Sequence, residues 1–326
     1  MIDTGRIPVR VVHHSRRDPR DKAGGVEAFA RRLGEVFEQV EMTWTGHPSL
    51  PALARDRAIV ICDNDTAIDW PRDQPLIAFQ HGVAWQKMRV TGTLTDARLA
   101  LRQWRVATRA RTIWVACARW IGEAFGALHP GAPQHVVYHH VDTRVFDGRL
   151  ENAGSRLVLH DARSAHKGAR IVEELATALP AWKFEPLACA PDRVADRLRR
   201  AAAFVHLSRY EGNSIVCVEA MAMDLPCILT DVGLARDAAA GHVRLDVGLV
   251  SAALAHEDPQ RAIPEVGRLL DAMREHPPAP RQFVRTHATV AIARARWRRV
   301  LADYAMRCGR RLDLGCEVIP TAKTGS

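Results

Sequence analysis

Short, mostly apolar runs recur along the chain, with helical stretches between them. In order they are Pro8 to His13, Ala58 to Cys62, Leu76 to Gln80, Ile113 to Ala116 and His135 to Tyr138, then Arg156 to His160, Trp182 to Leu187, Ala203 to Leu207 and Pro226 to Thr230. Runs such as AIVIC and PCILT do not alternate apolar with polar, so a strand made from them needs cover on both faces. Strands of this kind alternating with helices imply a parallel sheet between helical layers. The pattern occurs twice. The polar segment Asp147 to Ser155 (DGRLENAGS), with its two glycines, separates the two sets and reads as a linker. We therefore expect an α/β protein of two domains, residues 1–150 and 151–326. The length of 326 residues fits two domains of roughly 150 each.

The helices are read from three-to-four spacing. Val26, Phe29, Ala30, Leu33, Val36 and Phe37 mark the first, and Gly168 to Leu179 and Asp192 to Ala201 are two more. Arg281 to Tyr304 reads as one long arginine-rich helix that packs back on the first domain, and the tail after Ile319 as frayed. No apolar run approaches the ~20 residues of a membrane span. The N-terminus MIDTGRIPVRVVHH has no signal-type apolar core, so a cytoplasmic location is expected. The seven cysteines, at 62, 117, 189, 217, 227, 308 and 316, are scattered without a CxxC pair, as expected of reduced core thiols. A net charge of +9 favours anionic partners such as nucleotides and phosphates. No RNA-binding signature or basic tail is present, so no nucleic acid is expected.

Chemistry concentrates in Leu207 to Asp231, LSRYEGNSIVCVEAMAMDLPCILTD. Glu219 is the single charged residue between Gly212 and Met223. A helix this apolar on all sides is buried. A carboxylate inside it needs hydrogen-bond donors, from ligand hydroxyls, a buried arginine or backbone amides. Gly212, Asn213 and Ser214 lead into this helix. Asn213 or Ser214 can cap it, the first-turn amides form an anion site, and Gly212 lets a ligand approach the backbone. Lys167 follows the strand at Arg156 to His160 across the loop DARSAH, which also carries Arg163. Alone, Lys167 reads as a solvated helix-start lysine. Loops after the carboxyl ends of parallel strands line the ligand crevice, so Lys167, Arg163 and the helix start can together hold a diphosphate.

The run SRYEGNSIVCVEAMAMDLPCILTDVG resembles the donor-binding signature of retaining glycosyltransferases with the GT-B fold, in the large family four. Its two glutamates, Glu211 and Glu219, stand with seven residues between them, as in that signature. The segment AGGVE at Ala23 to Glu27 is similar to the family's glycine loop, and His81-Gly82 to its active-site histidine. VVYHHVDTRVF, Val136 to Phe146, is similar to its domain junction, with His139-His140 in place of the usual Asn-Gly. LVLHDARSAHKG resembles a loop usually read as Gly-Arg through Lys-Gly. There Lys167 aligns directly, while Arg163 falls one position late and Ala162 takes the arginine's place. Asp224 replaces a common glycine. The resemblance covers roughly Pro8 to Ala240.

The resemblance implies two Rossmann-like domains facing a central cleft and a retaining, metal-independent hexosyltransferase. A sugar would pass from a nucleotide-sugar donor to a hydroxyl acceptor: a glycan, a lipid-linked glycan or a small metabolite. Glu219 would bind the ribose hydroxyls and Glu211 the donor sugar. The amides of Asn213, Ser214 and Ile215 would hold sugar and phosphate, and Lys167, with Arg163, the leaving diphosphate. Gly24 and Gly25 would give room for donor phosphate or acceptor, and His81 would contact the donor sugar. A sugar-nucleotide epimerase or hydrolase on the same fold, or a non-catalytic binding protein, are the alternatives.

Two further motifs invite other readings. Asp63-Asn64-Asp65 resembles the metal-binding Asp-x-Asp of the other major glycosyltransferase fold, but reads better as a loop after AIVIC. His139 and His140 are neighbours in extended chain and point opposite ways, so no metal is expected there. Arg98, Arg102, Arg105 and Arg109 recur at helical spacing as one cationic stripe. It reads as a solvated helix face or as a contact with anionic membrane.

Overall fold

The computed structural model describes residues 5–21, 24–56, 58–109, 111–128 and 134–315. Ala23 of the glycine loop, Cys316 and the tail after Ile319 lie outside them. Six parallel strands form the first sheet: β1 (Ile7–Ser15), β2 (Phe37–Trp44), β3 (Ile59–Asp63), β4 (Leu76–Gln80), β5 (Thr112–Ala116) and β6 (Gln134–Val136), in the order β2-β1-β3-β4-β5-β6. Five parallel strands form the second: β7 (Leu157–His160), β8 (Lys183–Pro186), β9 (Ala203–His206), β10 (Cys227–Thr230) and β11 (Gly248–Val250), in the order β11-β10-β9-β7-β8. Every residue of β3, β4, β5, β9 and β10 is buried. These largely apolar runs are covered on both faces by helices, as parallel strands require. The α/β expectation holds, with two sheets that meet at a cleft.

Three local readings change. Phe37 is not the end of the first helix, which spans Gly25–Val36, but opens β2. This edge strand, FEQVEMTW, is too polar on its open side to stand out. The three-residue β11 and the helix Pro259–Glu275 were also not anticipated. The arginine-rich terminal helix is two helices, Arg281–His287 and Val290–Cys308. The break falls at Ala288, whose carbonyl accepts from Val141 N at 2.9 Å, and Thr289 caps the second helix by accepting from Ile292 N. That last helix packs on the first sheet: the fully buried Trp297 lies 6.0 Å from the Phe79 ring, near parallel to it, and edge-on to Phe37 at 5.4 Å.

The two halves are held face to face by polar contacts. Asp237, fully buried, accepts from Arg119 N at 2.8 Å, Trp120 N at 2.7 Å and Tyr138 Oη at 2.8 Å. The Asp237 carboxylate thus sits on the open amides of the helix Arg119–Leu128 in the other half. Tyr210 Oη accepts from Val83 N at 2.6 Å and donates to Val83 O at 3.0 Å. Asn213 Nδ2 donates to Cys117 O at 2.8 Å, and Trp120 Nε1 to Gly212 O at 3.3 Å. A Cβ at Gly212 would overlap the His81 carbonyl oxygen, so this turn needs glycine for its close approach to the opposite wall.

Candidate active site

The carboxyl ends of the central strands of both sheets border a cleft of about 770 Å³. From the first half it is lined by Gly24, Gly25, Arg32, His81 and His139, and from the second by Asp161, Arg163, Lys167, Glu211 to Val216 and Glu219. All the sequence-expected site residues therefore meet in one place.

The second wall is a network of paired charges. Glu211 bonds to the Lys167 ammonium, and Lys167 Nζ lies 3.5 Å from Asp161 Oδ2. Behind them His206 Nδ1 bonds Asp161 Oδ1 at 2.6 Å, and its Nε2 lies 3.4 Å from Glu211 Oε2. Register brings this about: β7 and β9 pair His160 with Val205, so the next residue on each strand, Asp161 and His206, meet at the sheet's edge. Burial alone would raise the Glu211 carboxyl, but Lys167 and His206 hold it well below the usual carboxylate range. Burial likewise would lower the Lys167 ammonium, yet Glu211 and Asp161 raise it, so it remains charged. Burial opposes charge on His206, and the adjacent Cys217 sulfur and Asp161 carboxylate raise it well above an ordinary histidine. Gly168 after the lysine has φ +82°, and a Cβ there would stand 2.5 Å from Leu207 O, so glycine holds the lysine's turn against β9.

The helix Ile215–Ala222 starts at the cleft. The expected side-chain cap is not there: Ser214 occupies the cap position without a hydrogen bond, and Asn213 is spent on Cys117. The first turn therefore offers its amides uncapped to the cleft. Spacing of three places Val216 and Glu219 on one face of this helix, the face lining the cleft. Glu219 is 9% exposed, and its partner is Arg32, reached across the cleft from the first helix. Of the three donors the sequence left open, the structure supplies the buried arginine. Arg32 also donates to His140 O at 2.7 Å. Burial raises the Glu219 carboxyl above its ordinary value, and Arg32 offsets this only in part. Arg163 is exposed on the cleft wall and makes no hydrogen bond or ion pair among the described residues.

The first wall is built on Asp63, a residue that the sequence reading passed over as loop. It is 2% exposed; His81 Nε2 bonds its Oδ1 at 2.8 Å, and His13 Nε2 lies 3.0 Å from its Oδ2. Burial would raise this carboxyl, and the two imidazoles hold it far down. With Nε2–H donated to Asp63, His81 turns Nδ1 out as an acceptor. Asn64 Oδ1 accepts from His81 N at 2.9 Å, and His139 stacks on the His81 ring at 5.4 Å and 19°. Burial, then His81 and Arg32, keep His139 neutral. Asp65 faces elsewhere, accepting from Arg16 and Arg102 at 2.5 Å each. The two aspartates of the Asp-x-Asp thus serve separate protein networks. Among the described residues no cluster of three or more His, Cys, Asp or Glu is placed to hold a metal.

The arginine stripe is divided. Arg102 turns in to Asp65, and Arg109 donates to the carbonyls of Trp70 at 2.9 Å and Gln74 at 2.8 Å. Only Arg98 and Arg105 of the four stay exposed, because the loops around β3 and β4 need donors for their buried acceptors. The continuous cationic face expected for a membrane contact is therefore absent. No helix among the described residues is long and apolar enough to cross a membrane.

Residues 186–266, which contain both glutamates, match the family described as glycosyl transferases group 1. That segment, about a quarter of the chain, is similar to the group 1 glycosyltransferases, and the chain as a whole has the GT-B fold. The same architecture is seen in solved structures. One is HepE of Anabaena in complex with UDP and glucose, 12% identical, with 90% of this chain and 100% of that one covered and a TM-score of 0.60. Another is sucrose-phosphate synthase of Thermosynechococcus elongatus, 14% identical, covering 90% and 99% at a TM-score of 0.66. No curated protein matches the sequence. At such identities the likeness to structures speaks for the fold alone, and the group 1 match falls on the half that carries Glu211 and Glu219. Asp161, His206, Arg32 and Asp63 are the functional candidates that the sequence reading missed. The signal for three of them was present: a charged or titratable residue at the end of an otherwise apolar strand. Arg32 gave none, being one of several arginines on an amphipathic helix.

Proposed function

We propose that the enzyme transfers a sugar from a nucleoside-diphosphate sugar to a hydroxyl acceptor, with retention at the anomeric carbon and without a metal. The observation that carries the reading is the arrangement of Glu219 and Glu211 at either end of an uncapped helix start, with a charged Lys167 on Glu211. Glu219 takes the ribose hydroxyls, the uncapped amides and Lys167 take the diphosphate, and Glu211 takes hydroxyls of the sugar. Arg163, unpaired on the cleft wall, adds a second cation. As the C1–O bond to phosphate breaks, negative charge grows on the leaving diphosphate beside Lys167, where a preformed cation lowers the barrier most. The acceptor oxygen bonds to C1 on the same face, and its proton passes to the leaving phosphate oxygen. His81 Nδ1, fixed as an acceptor, receives a hydroxyl of the donor sugar.

UDP is the first nucleotide to try, because HepE is solved with it. A thermal-shift panel of nucleoside diphosphates, followed by hydrolysis of the matching UDP-, ADP- and GDP-sugars, tests the donor. Stabilisation by one diphosphate and slow release of sugar from its conjugates is expected; a panel without any stabilisation sinks the reading. The anomeric signal of the product tests retention, and undiminished turnover in excess chelator tests metal independence.

A further inference from the structure

Glu219 is not free to receive a ribose. The Arg32 guanidinium occupies it from the opposite wall, and the pair is mostly buried, with side chains 14% and 11% exposed. Hydroxyls arriving at Glu219 must displace this arginine. A guanidinium keeps its charge, and leaving it unpaired in so enclosed a place costs far more than a hydrogen bond returns. The other acidic groups in the wall are already taken, Glu211 by Lys167 and His206, and Asp161 by His206 and Lys167. Among the groups lining the cleft, the anion left to receive Arg32 is therefore the one the ligand itself carries. Its remaining tie, to His140 O at 2.7 Å, anchors it in the first half while its other nitrogens turn.

We infer that Arg32 is an exchange residue: it holds Glu219 while the cleft is empty and passes to the donor's diphosphate when ribose takes Glu219. This rests on the donor-site reading above. It adds a phosphate contact from the first half of the molecule, and it makes binding selective for ligands that bring ribose and an anion together. A nucleoside displaces Arg32 and offers it nothing. Free diphosphate offers it an anion but does not vacate Glu219. The matched nucleoside diphosphate does both. A planar, five-donor guanidinium suits the bidentate phosphate contact better than an ammonium would.

The test measures matched pairs, uridine and UDP, adenosine and ADP, guanosine and GDP, by calorimetry on the intact protein and on Arg32→Ala. For the base that binds, Arg32→Ala is expected to weaken the diphosphate by roughly 10–100-fold, the range of a lost hydrogen bond to a charged group. The nucleoside is expected to bind as tightly or more tightly, because no arginine has to be moved. Arg32→Lys should recover part of the diphosphate loss. Should Arg32→Ala fold poorly, Arg32→Gln keeps hydrogen bonds to Glu219 and His140 O and is expected to show the same split. Parallel losses for nucleoside and diphosphate, or an unchanged diphosphate affinity, overturn the exchange alone. No diphosphate binding to the unaltered protein overturns the donor-site reading and the exchange with it.

Discussion

The two walls of the cleft use the same pair of groups in opposite order. On the first wall an imidazole faces the cleft and a carboxylate stands behind it: His81 lines the space, and Asp63 is hidden beneath. On the second wall a carboxylate faces the cleft and an imidazole stands behind it: Glu211 lines the space, and His206 is hidden. The backing group decides what each wall can do. Asp63 makes His81 an acceptor of hydroxyl protons, a site for sugar. His206 and Lys167 keep Glu211 ionised and leave a lysine charge at the surface, a site for a sugar and an anion together. On the proposed reading the difference divides labour: the second wall, joined by Arg32, carries the donor's charge, and the first arranges the sugar's reacting face.

The largest effect that tests this division is expected from Lys167→Ala, a fall in turnover of roughly 100–1000-fold, as for loss of one preorganised group at a developing charge, together with weaker diphosphate binding. His81→Ala should lower turnover by about 100-fold and leave the affinity for bare diphosphate intact. If titration calorimetry shows that His81→Ala weakens diphosphate as much as Lys167→Ala does, the division fails. Asp63→Asn should cost about tenfold in turnover and nothing further in a His81→Ala background, since both changes remove the same unit. Additive losses in that cycle would give Asp63 a role independent of His81. Glu219→Ala should weaken nucleoside-diphosphate binding by about tenfold.

The smallest effect is on stability, and it has opposite signs on the two walls. His206 has its folded pKa raised above the ordinary value of 6.5. Its contribution is full below about pH 6.5 and is lost as pH rises through the folded value. His139 has its folded pKa lowered from 6.5. Its contribution is full above about pH 6.5 and is lost as pH falls through the folded value. His206→Gln should therefore flatten the alkaline side of a Tm-against-pH curve, and His139→Gln the acid side, by about 2–4 °C each. A single side altered by both substitutions would contradict the assignment.

How much of this was legible in the sequence follows from how local each signal is. The apolar strand runs, the glutamate pair, Lys167 before its glycine, and His81 after LIAFQ are all patterns within a dozen residues. The fold and the cleft residues could be read from them. Arg32 and Glu219 are 187 residues apart, and nothing near either announces the other. In the sequence Asp63 reads only as half of a metal motif with Asp65. Neighbouring strands settle the question differently by pairing Asp63 with Phe79, two residues before His81. The arginine stripe failed for a related reason. Helical spacing told which residues share a face, not that β3 and its loop would place Asp65 beneath that face.

Asp237 has a consequence for the working cycle. Its three donors all belong to the opposite half, and all are polar. Apolar contacts such as Trp120 against Tyr210 lie beside these bonds, yet each of the three can be remade with water when given up. Under the proposed function these three bonds form a clasp, suited to being undone and refastened each time a spent nucleotide leaves and a fresh donor enters.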